Sequence, residues 1–144
     1  MLTVQKILKT KGSKIHSIAP QESTVTALQQ MAEHNIGALL VVDDGKLIGI
    51  FTERDYIRKM NFQKTSAKEI KVSDIMTLDV LYAEPDCTIN ECMALMTNKR
   101  IRHIPVMDHG QLVGIVSIGD IVKEIISEQE FTIQQLEKYI TGSY

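Results

Sequence analysis

The chain has 144 residues, 44% of them hydrophobic, with a formal net charge of -2 and a pI near 6.1. This composition predicts a folded core in one domain or in two closely joined small ones, and it argues against a disordered chain. Because the chain has no overall basic charge, we expect no nucleic-acid binding through bulk electrostatics. The longest wholly apolar run, 38–42, is too short to span a bilayer, and no apolar signal segment follows Met1. We therefore expect a soluble cytoplasmic protein without a membrane partner.

The first half of the chain predicts a short lead-in helix, then a strand, a helix, a hairpin and a further helix. Val4, Ile7 and Leu8 give the lead-in helix one apolar face. Pro20 ends the first strand, because proline has a fixed φ and no N–H for ladder pairing. The Asp-Gly pair at 44–45 suits the positive φ angles of a tight hairpin turn. The predicted ranges are a strand over 15–19, a helix over 23–34, strands over 38–42 and 47–51, and a helix over 53–60.

The second half predicts the same order of elements. Val72 and Ile75 belong to a second apolar lead-in helix, and Pro85 ends the strand that follows it. Thr88 and Glu91 have the spacing of a capping box at the start of the next helix. The predicted ranges are a strand over 80–83, a helix over 88–99, strands over 103–107 and 112–116, and a helix over 118–126.

Between 20–55 and 85–120, ten identical residues relate the two halves at one constant shift, the 65 positions that separate Gly49 from Gly114. Such a match without a gap indicates an internal duplication. Each copy has few strands to bury its apolar faces, so we expect the two copies to pack against each other. The identical pairs are Pro20/Pro85, Met31/Met96, Ile36/Ile101, Val41/Val106, Asp43/Asp108, Gly45/Gly110, Leu47/Leu112, Gly49/Gly114, Ile50/Ile115 and Asp55/Asp120.

The last residues predict a separate amphipathic helix. Thr132 has the position of a capping residue, Ile133, Leu136 and Ile140 form an apolar stripe, and Gly142 provides a stop. This helix lies on its own molecule or meets a second chain, and the sequence leaves that choice open. We divide the chain into a first repeat with its lead-in helix (1–62), a linker (63–71), a second repeat (72–127) and a helical tail (128–144).

The sequence contains no pattern that indicates catalysis. No phosphate-binding P-loop, nucleophile elbow or paired metal motif is present. The spacing of Cys87 and Cys92 matches no metal or redox motif, and Cys92 falls at an apolar helix position, so we interpret both as reduced thiols. We expect no enzyme activity, no catalytic cofactor and no metal site.

A hydroxyl residue followed three positions later by aspartate ends the hairpin in both copies, at Thr52 and Asp55 and at Ser117 and Asp120. Each pair falls where a strand turns into a helix, and the free N–H groups of a helix N-terminus favour a phosphate. The same pattern also fits a simple helix cap, in which the side chains satisfy only their own backbone. Both readings stay open, and they can coexist.

The repeated pattern resembles the tandem cystathionine beta-synthase-type (CBS) domain pair, also called a Bateman module. The resemblance covers nearly the whole chain and is carried by 36–43, 49–55, 102–106 and 114–120. It implies an α/β (α+β) fold of two β-α-β-β-α repeats packed with pseudo-twofold symmetry, followed by a C-terminal helix. It also implies two clefts for adenine nucleotides, as relatives bind AMP, ADP, ATP, S-adenosylmethionine or NADH to regulate an attached or partner protein.

Within that family, Asp55 and Asp120 would bind the ribose through its two hydroxyls, and Thr52 and Ser117 would contact phosphate. We expect the Asp120 site to be the tighter one for AMP-like ligands.

Cations are expected beside the phosphate. Arg54, Arg102 and His103 are the candidates, whereas Lys99 and Arg100 fit equally well as complements to a helix C-terminal dipole.

The adenine is expected against strand residues of the two repeats. The candidates are Ile15, Val80, Tyr82 and Ile104, although a strand tyrosine such as Tyr82 is more often plain packing.

The sequence therefore predicts a free regulatory module that forms a homodimer, binds AMP or else ATP, ADP or NADH, and signals to a separate effector protein. The alternative is a structural or partner-binding dimerisation module without a nucleotide ligand.

Overall fold

The structure is a computed structural model, and it describes residues 1–12, 14–60 and 70–142. Most of the predicted linker 63–71 lies outside the described residues. The described helices and strands are, in chain order, α1 (Val4–Lys11), β1 (Ser17–Ile18), α2 (Thr24–His34), β2 (Ala38–Asp43), β3 (Lys46–Thr52), α3 (Glu53–Met60), α4 (Val72–Ile75), α5 (Ile89–Lys99), β4 (His103–Asp108), β5 (Gln111–Ser117) and α6 (Ile118–Thr141).

Each repeat contains an antiparallel hairpin, β2–β3 in the first and β4–β5 in the second. The turns need two consecutive residues with positive φ, and Asp44 (51°) and Gly45 (77°) supply them in the first repeat. His109 (51°) and Gly110 (79°) do so in the second. The predicted hairpins and their turns are confirmed.

The repeats differ in their first strand. β1 pairs in parallel with β2, and the N–H of Leu40 donates to the carbonyl oxygen of His16 at 3.3 Å. Pro105 takes the place of Leu40 in the second repeat and has no N–H to donate. The predicted strand over 80–83 is accordingly wrong, since only Ala83 forms an isolated bridge, to Val106. The predicted strand over 15–19 is likewise shorter than expected, at two residues.

The two lead-in helices are exchanged between the repeats. α1 places Val4 and Ile7 in the core of the second repeat, whereas α4 places Val72 and Ile75 in the core of the first. All four side chains are at most 2% exposed. Burial of this extent stabilises the fold by roughly 1.5–3 kcal/mol for each side chain. Each repeat therefore completes its core with a helix that belongs, by sequence order, to the other.

A third apolar cluster lies where the two hairpins face each other. Ala38, Leu40 and Ile50 are its buried residues, and Leu112 and Ile115 of β5 pack against them. The two repeats thus pack together through their sheets, as the CBS resemblance implies.

The C-terminal helix is present but is not separate. The sequence predicts a break after residue 126, whereas α6 runs without interruption from Ile118 to Thr141. Thr132 lies inside this helix, and its hydroxyl donates to the carbonyl oxygen of Glu128 at 3.0 Å instead of capping a new N-terminus. Gly142 ends α6 with a φ of 70°, as predicted. Among the described residues, no helix is both long enough and apolar enough to cross a membrane.

Candidate functional site

The first hydroxyl–aspartate pair caps α3. The N–H of Asp55 donates to Oγ1 of Thr52 at 3.1 Å, and the N–H of Thr52 donates to Oδ2 of Asp55 at 3.1 Å. The hydroxyl of Thr77 donates to the other carboxylate oxygen, Oδ1, at 2.9 Å. Both oxygens of Asp55 therefore already accept hydrogen bonds from the protein.

The second pair caps α6 in the same way. The N–H of Asp120 donates to Oγ of Ser117 at 3.1 Å, and the N–H of Ser117 donates to Oδ2 of Asp120 at 2.9 Å. The ammonium of Lys11 donates to the same Oδ2 at 2.7 Å. Oδ1 of Asp120 accepts no hydrogen bond from the described residues. Among those residues every buried side-chain nitrogen or oxygen has a hydrogen-bond partner, so Oδ1 is not buried and is accessible to solvent. One acceptor of this carboxylate remains available to a ligand.

The surroundings of Asp120 keep it ionised. Burial alone would raise the pKa of its carboxyl, but the hydrogen bonds from Lys11 and from the Ser117 N–H, with the charge of Lys11, lower that pKa below its ordinary value of 3.8. An ionised carboxylate accepts the strong hydrogen bonds that a pair of hydroxyls can donate.

His103 stands between Asp120 and the first repeat. It pairs with Ser117 across the β4–β5 hairpin. Burial lowers the pKa of its imidazole below 6.5, although the carboxylates of Asp120 and Glu53 act in the opposite direction. A Cβ at Gly37 would lie 3.3 Å from Cε1 of His103 and 3.7 Å from Oε1 of Glu53, so glycine leaves room for both side chains.

The remaining candidate cations are Arg54, which belongs to the first repeat, and Arg102, which belongs to the second. Arg54 reaches from the first repeat to the second, where its guanidinium donates a short hydrogen bond to the carbonyl oxygen of Arg100. Arg100 is the C-cap residue of α5, so the guanidinium of Arg54 here binds a carbonyl oxygen at the C-terminus of that helix. The side chain of Arg102 is exposed, and its charge is among those that lower the pKa of His103.

The four adenine candidates do not come together. Ile15 and Val80 are partly buried and pack against the apolar cluster between the two hairpins. Ile104 is fully buried in the core of the second repeat. Its contact with adenine stays a prediction. Ile104 alternates along β4 with His103, and side chains that alternate along a strand point to opposite faces. Tyr82 is 57% exposed and belongs to none of the apolar clusters.

Lys11 is the functional candidate that sequence reasoning missed. It follows the apolar part of α1 and is separated from Asp120 by 109 positions in the chain. Its ammonium also donates to the carbonyl oxygen of Ile115 at 3.0 Å, which holds it over the end of β5. No local pattern marks this lysine, because its position depends on the exchange of the lead-in helices.

A cavity of about 280 Å³ adjoins the junction between the repeats. Gly37 and Glu53 line it together with Leu28, Met31, Ala32, Asn35 and Ile36. It borders the residues around His103 but contains neither Asp55 nor Asp120. The hydrogen bonds and charges around Asp120, rather than this cavity, therefore define the candidate site.

The two repeats are interleaved, and a carboxylate, a lysine and a histidine lie where they meet, which is the architecture of a paired-domain module. The CBS domain family model matches residues 5–61 and 72–127, and the chain belongs to this family.

Three known proteins illustrate the similarity. The mitochondrial CBS domain-containing protein CBSX3 of Arabidopsis thaliana is 39% identical over 151 residues, covering 99% of this chain and 73% of that protein. The crystal structure of the CBS domain NE2398 is 48% identical, with a TM-score of 0.84 over 86% of this chain and 97% of that one. The CBS domain pair of MJ0100, solved with 5-methylthioadenosine and S-adenosyl-L-methionine, is 30% identical, with a TM-score of 0.75 over 89% and 98% of the two chains.

Each of these three proteins is named for its CBS domains. Other relatives are inosine-5'-monophosphate dehydrogenases, in which the part similar to this chain makes up 22% and 25% of the protein. The Arabidopsis protein is described as mitochondrial, so the cytoplasmic location stays a prediction for this chain.

Proposed function

We propose that this chain is a regulatory module that binds an adenine nucleotide beside Asp120 and signals its presence to a separate effector protein. AMP is the first candidate, and ATP, ADP and NADH are the others. The observation that carries the proposal is the open Oδ1 of an ionised carboxylate at the junction of the two repeats. The related pair of MJ0100 was solved with two adenosine derivatives, and a ribose diol is the group that such ligands offer to a carboxylate.

Lys11 gives the site a preference for phosphate. A ribose hydroxyl that donates to Asp120 replaces part of the interaction that the ammonium of Lys11 makes with this carboxylate in the free protein. The ammonium, still held beside the carbonyl oxygen of Ile115, then becomes available to a phosphate oxygen. With the exposed guanidinium of Arg102 nearby, the site offers two cations, which favour an anionic phosphate over a cationic sulfonium. Ser117 at the α6 N-terminus and His103 are the further phosphate contacts that we propose.

The Asp55 site is proposed as the weaker one. Both oxygens of its carboxylate already accept hydrogen bonds, from Thr77 and from Thr52, so a ribose must share or displace these donors. A ligand that displaces an existing hydrogen bond gains less than one that fills an open acceptor. We propose that Ile15 and Val80 contact the base in these clefts, and that Arg54 reaches a phosphate only after it leaves the end of α5.

The test compares Asp120→Ala with Asp55→Ala by isothermal titration calorimetry with AMP, ATP, ADP and NADH. Each variant loses the hydrogen bond that its carboxylate accepts from the N–H of the preceding hydroxyl residue. Asp120→Ala also loses the ion pair with Lys11, and Asp55→Ala loses the bond from Thr77, so the Asp55→Ala protein is a comparable control for stability. We expect Asp120→Ala to weaken AMP binding at least tenfold, which corresponds to one charged hydrogen bond of about 1.5 kcal/mol. Asp55→Ala should leave the tighter site unchanged.

Two results would contradict the proposal. One is an affinity of Asp120→Ala for AMP equal to that of the wild type. The other is an absence of heat and of thermal stabilisation with every nucleotide, since a ligand of the native state raises its stability. The second result would favour a structural dimerisation module without a nucleotide ligand.

A further inference from the structure

The C-terminal part of α6 extends beyond the folded body. Every residue from Ile126 to Gly142 is exposed, whereas Ile121 and Ile125 hold the first turns of the helix against the second repeat. An isolated helix of this length is marginal in water, because most helical stability comes from tertiary packing. An apolar stripe on such an extension indicates a partner that covers it.

The exposed stripe follows a heptad pattern. Its positions are alternately four and three residues apart, which is the spacing of the a and d positions in a coiled coil. The apolar members are between 47% and 81% exposed. We call this set the α6 seam, and it consists of Val122, Ile126, Gln129, Ile133, Leu136 and Ile140.

We infer that two copies of this chain pair along the α6 seam in an antiparallel arrangement with its centre near residue 131. In this register Val122 of one copy packs against Ile140 of the second copy, and Ile126 packs against Leu136 of the second copy. Each pair joins an a position to a d position, as antiparallel coiled coils require. The inference does not depend on nucleotide binding.

The charged residues beside the α6 seam favour the antiparallel arrangement over a parallel one. Lys123 and Glu137 both occupy e positions beside the seam and are exposed. In the antiparallel register, Lys123 of one copy lies next to Glu137 of the second copy, so the dimer has two such pairs. Glu130 meets its own counterpart once, near the symmetry axis. In a parallel pair, Lys123 and Glu137 would be about 21 Å apart along the axis, at 1.5 Å per residue.

The anchored start of α6 supports the same orientation. The seam spans fewer than three heptads, which is short for an independent coiled coil. In the antiparallel pair, the free end of each helix lies along the part of the other helix that Ile121 and Ile125 fix to the body. Each copy therefore offers the other a rigid surface.

The first experiment measures mass in solution by sedimentation velocity. We expect a dimer for the wild type and a monomer for Leu136→Glu. Phe131→Glu is the matched control, since Phe131 is 59% exposed but lies on the opposite side of the helix from the seam. It should remain a dimer. Circular dichroism confirms that each variant is folded. A monomeric wild type, or a Leu136→Glu protein that dimerises as well as Phe131→Glu, would overturn the inference.

The second experiment determines orientation by charge reversal and cross-linking. Lys123→Glu and Glu137→Lys should each raise the dimer dissociation constant about fivefold, and the double variant should restore it, because exposed pairs contribute modestly. A mixture of Val122→Cys and Ile140→Cys proteins should form mixed disulfide dimers under mild oxidation, with wild type as the background control. Disulfides between two Val122→Cys chains, or a double variant weaker than either single one, would overturn the antiparallel arrangement.

Discussion

Replacement of Lys11 by methionine tests the contact that links the exchanged helix α1 to the candidate site. Methionine keeps most of the unbranched side chain and removes the ammonium, so the ion pair with Asp120 at 2.7 Å and the hydrogen bond to Ile115 at 3.0 Å are lost. Hydrogen bonds to charged groups contribute about 1.5–3 kcal/mol when buried, and exposed ion pairs contribute about 0–1 kcal/mol.

The partners Lys11 and Asp120 are 33% and 22% exposed, which places the pair between these limits. We expect the free energy of unfolding to fall by about 1 kcal/mol at pH 7, which lowers Tm by about 3 °C in a chain of this size.

The loss should depend on pH with a definite sign. The folded pKa of Asp120 is below its ordinary value of 3.8, so its ionisation stabilises the fold above that value. This contribution disappears as the pH falls through the folded pKa. In Lys11→Met the pKa of Asp120 rises, because burial is then opposed mainly by the Ser117 N–H. The stability difference between wild type and variant should therefore be full at pH 7 and shrink below pH 3.8.

Urea unfolding at several pH values and an NMR titration of the Asp120 carboxyl measure both effects. Lys9→Met is the matched control, because Lys9 is exposed and lies with Lys11 in the last turn of α1. The two variants remove the same interaction with the helix dipole. Equal stabilities of the two variants, with an unchanged Asp120 titration, would refute the reasoning.

Three further outcomes follow from close contacts and burial. Gly49→Ala should destabilise by about 2 kcal/mol, because its Cβ would lie 3.0 Å from the carbonyl oxygen of Thr77, which is backbone and cannot move alone. Gly114→Ala should cost about 1 kcal/mol, because the contact at 2.6 Å is with the flexible end of Leu8, and adding Leu8→Ala should cost less in this background than in wild type. Urea unfolding checks both, and additive costs would argue against the contact. His103 should titrate below 6.5 by NMR, so the fold should lose stability as the pH falls from 6.5 towards that lower pKa; a midpoint above 6.5 would contradict its burial.

Local chemistry made part of this structure predictable. The turns at Asp44-Gly45 and His109-Gly110 need positive φ at adjacent residues, and the sequence marks such positions directly. The pairs Thr52/Asp55 and Ser117/Asp120 are three residues apart and follow directly on a strand, so short-range spacing is enough to predict their capping hydrogen bonds. The repeat itself then predicts two similar units.

The same local signals could not predict features that depend on a neighbouring strand or helix. A short apolar run at 80–83 suggests a strand, but pairing also needs a donor on the neighbouring strand, and Pro105 provides none. Ile104 is apolar, as a residue that contacts adenine would be, yet the face of β4 on which it lies packs in the core of the second repeat. The capping pattern at Thr132 was outweighed by continuation of the preceding helix.

The amino-acid sequence by itself determined the hairpins and the capped starts of α3 and α6, because each depends on residues within a few positions of one another. It also determined the duplication and membership of the CBS family, because these short patterns occur twice in the chain. Tertiary structure alone decided that α1 packs on the second repeat and α4 on the first, and with it that Lys11 meets Asp120 across 109 positions. Two apolar helices of similar length can fill either core, so the choice between them depends on how well whole surfaces fit, which no short stretch of sequence records.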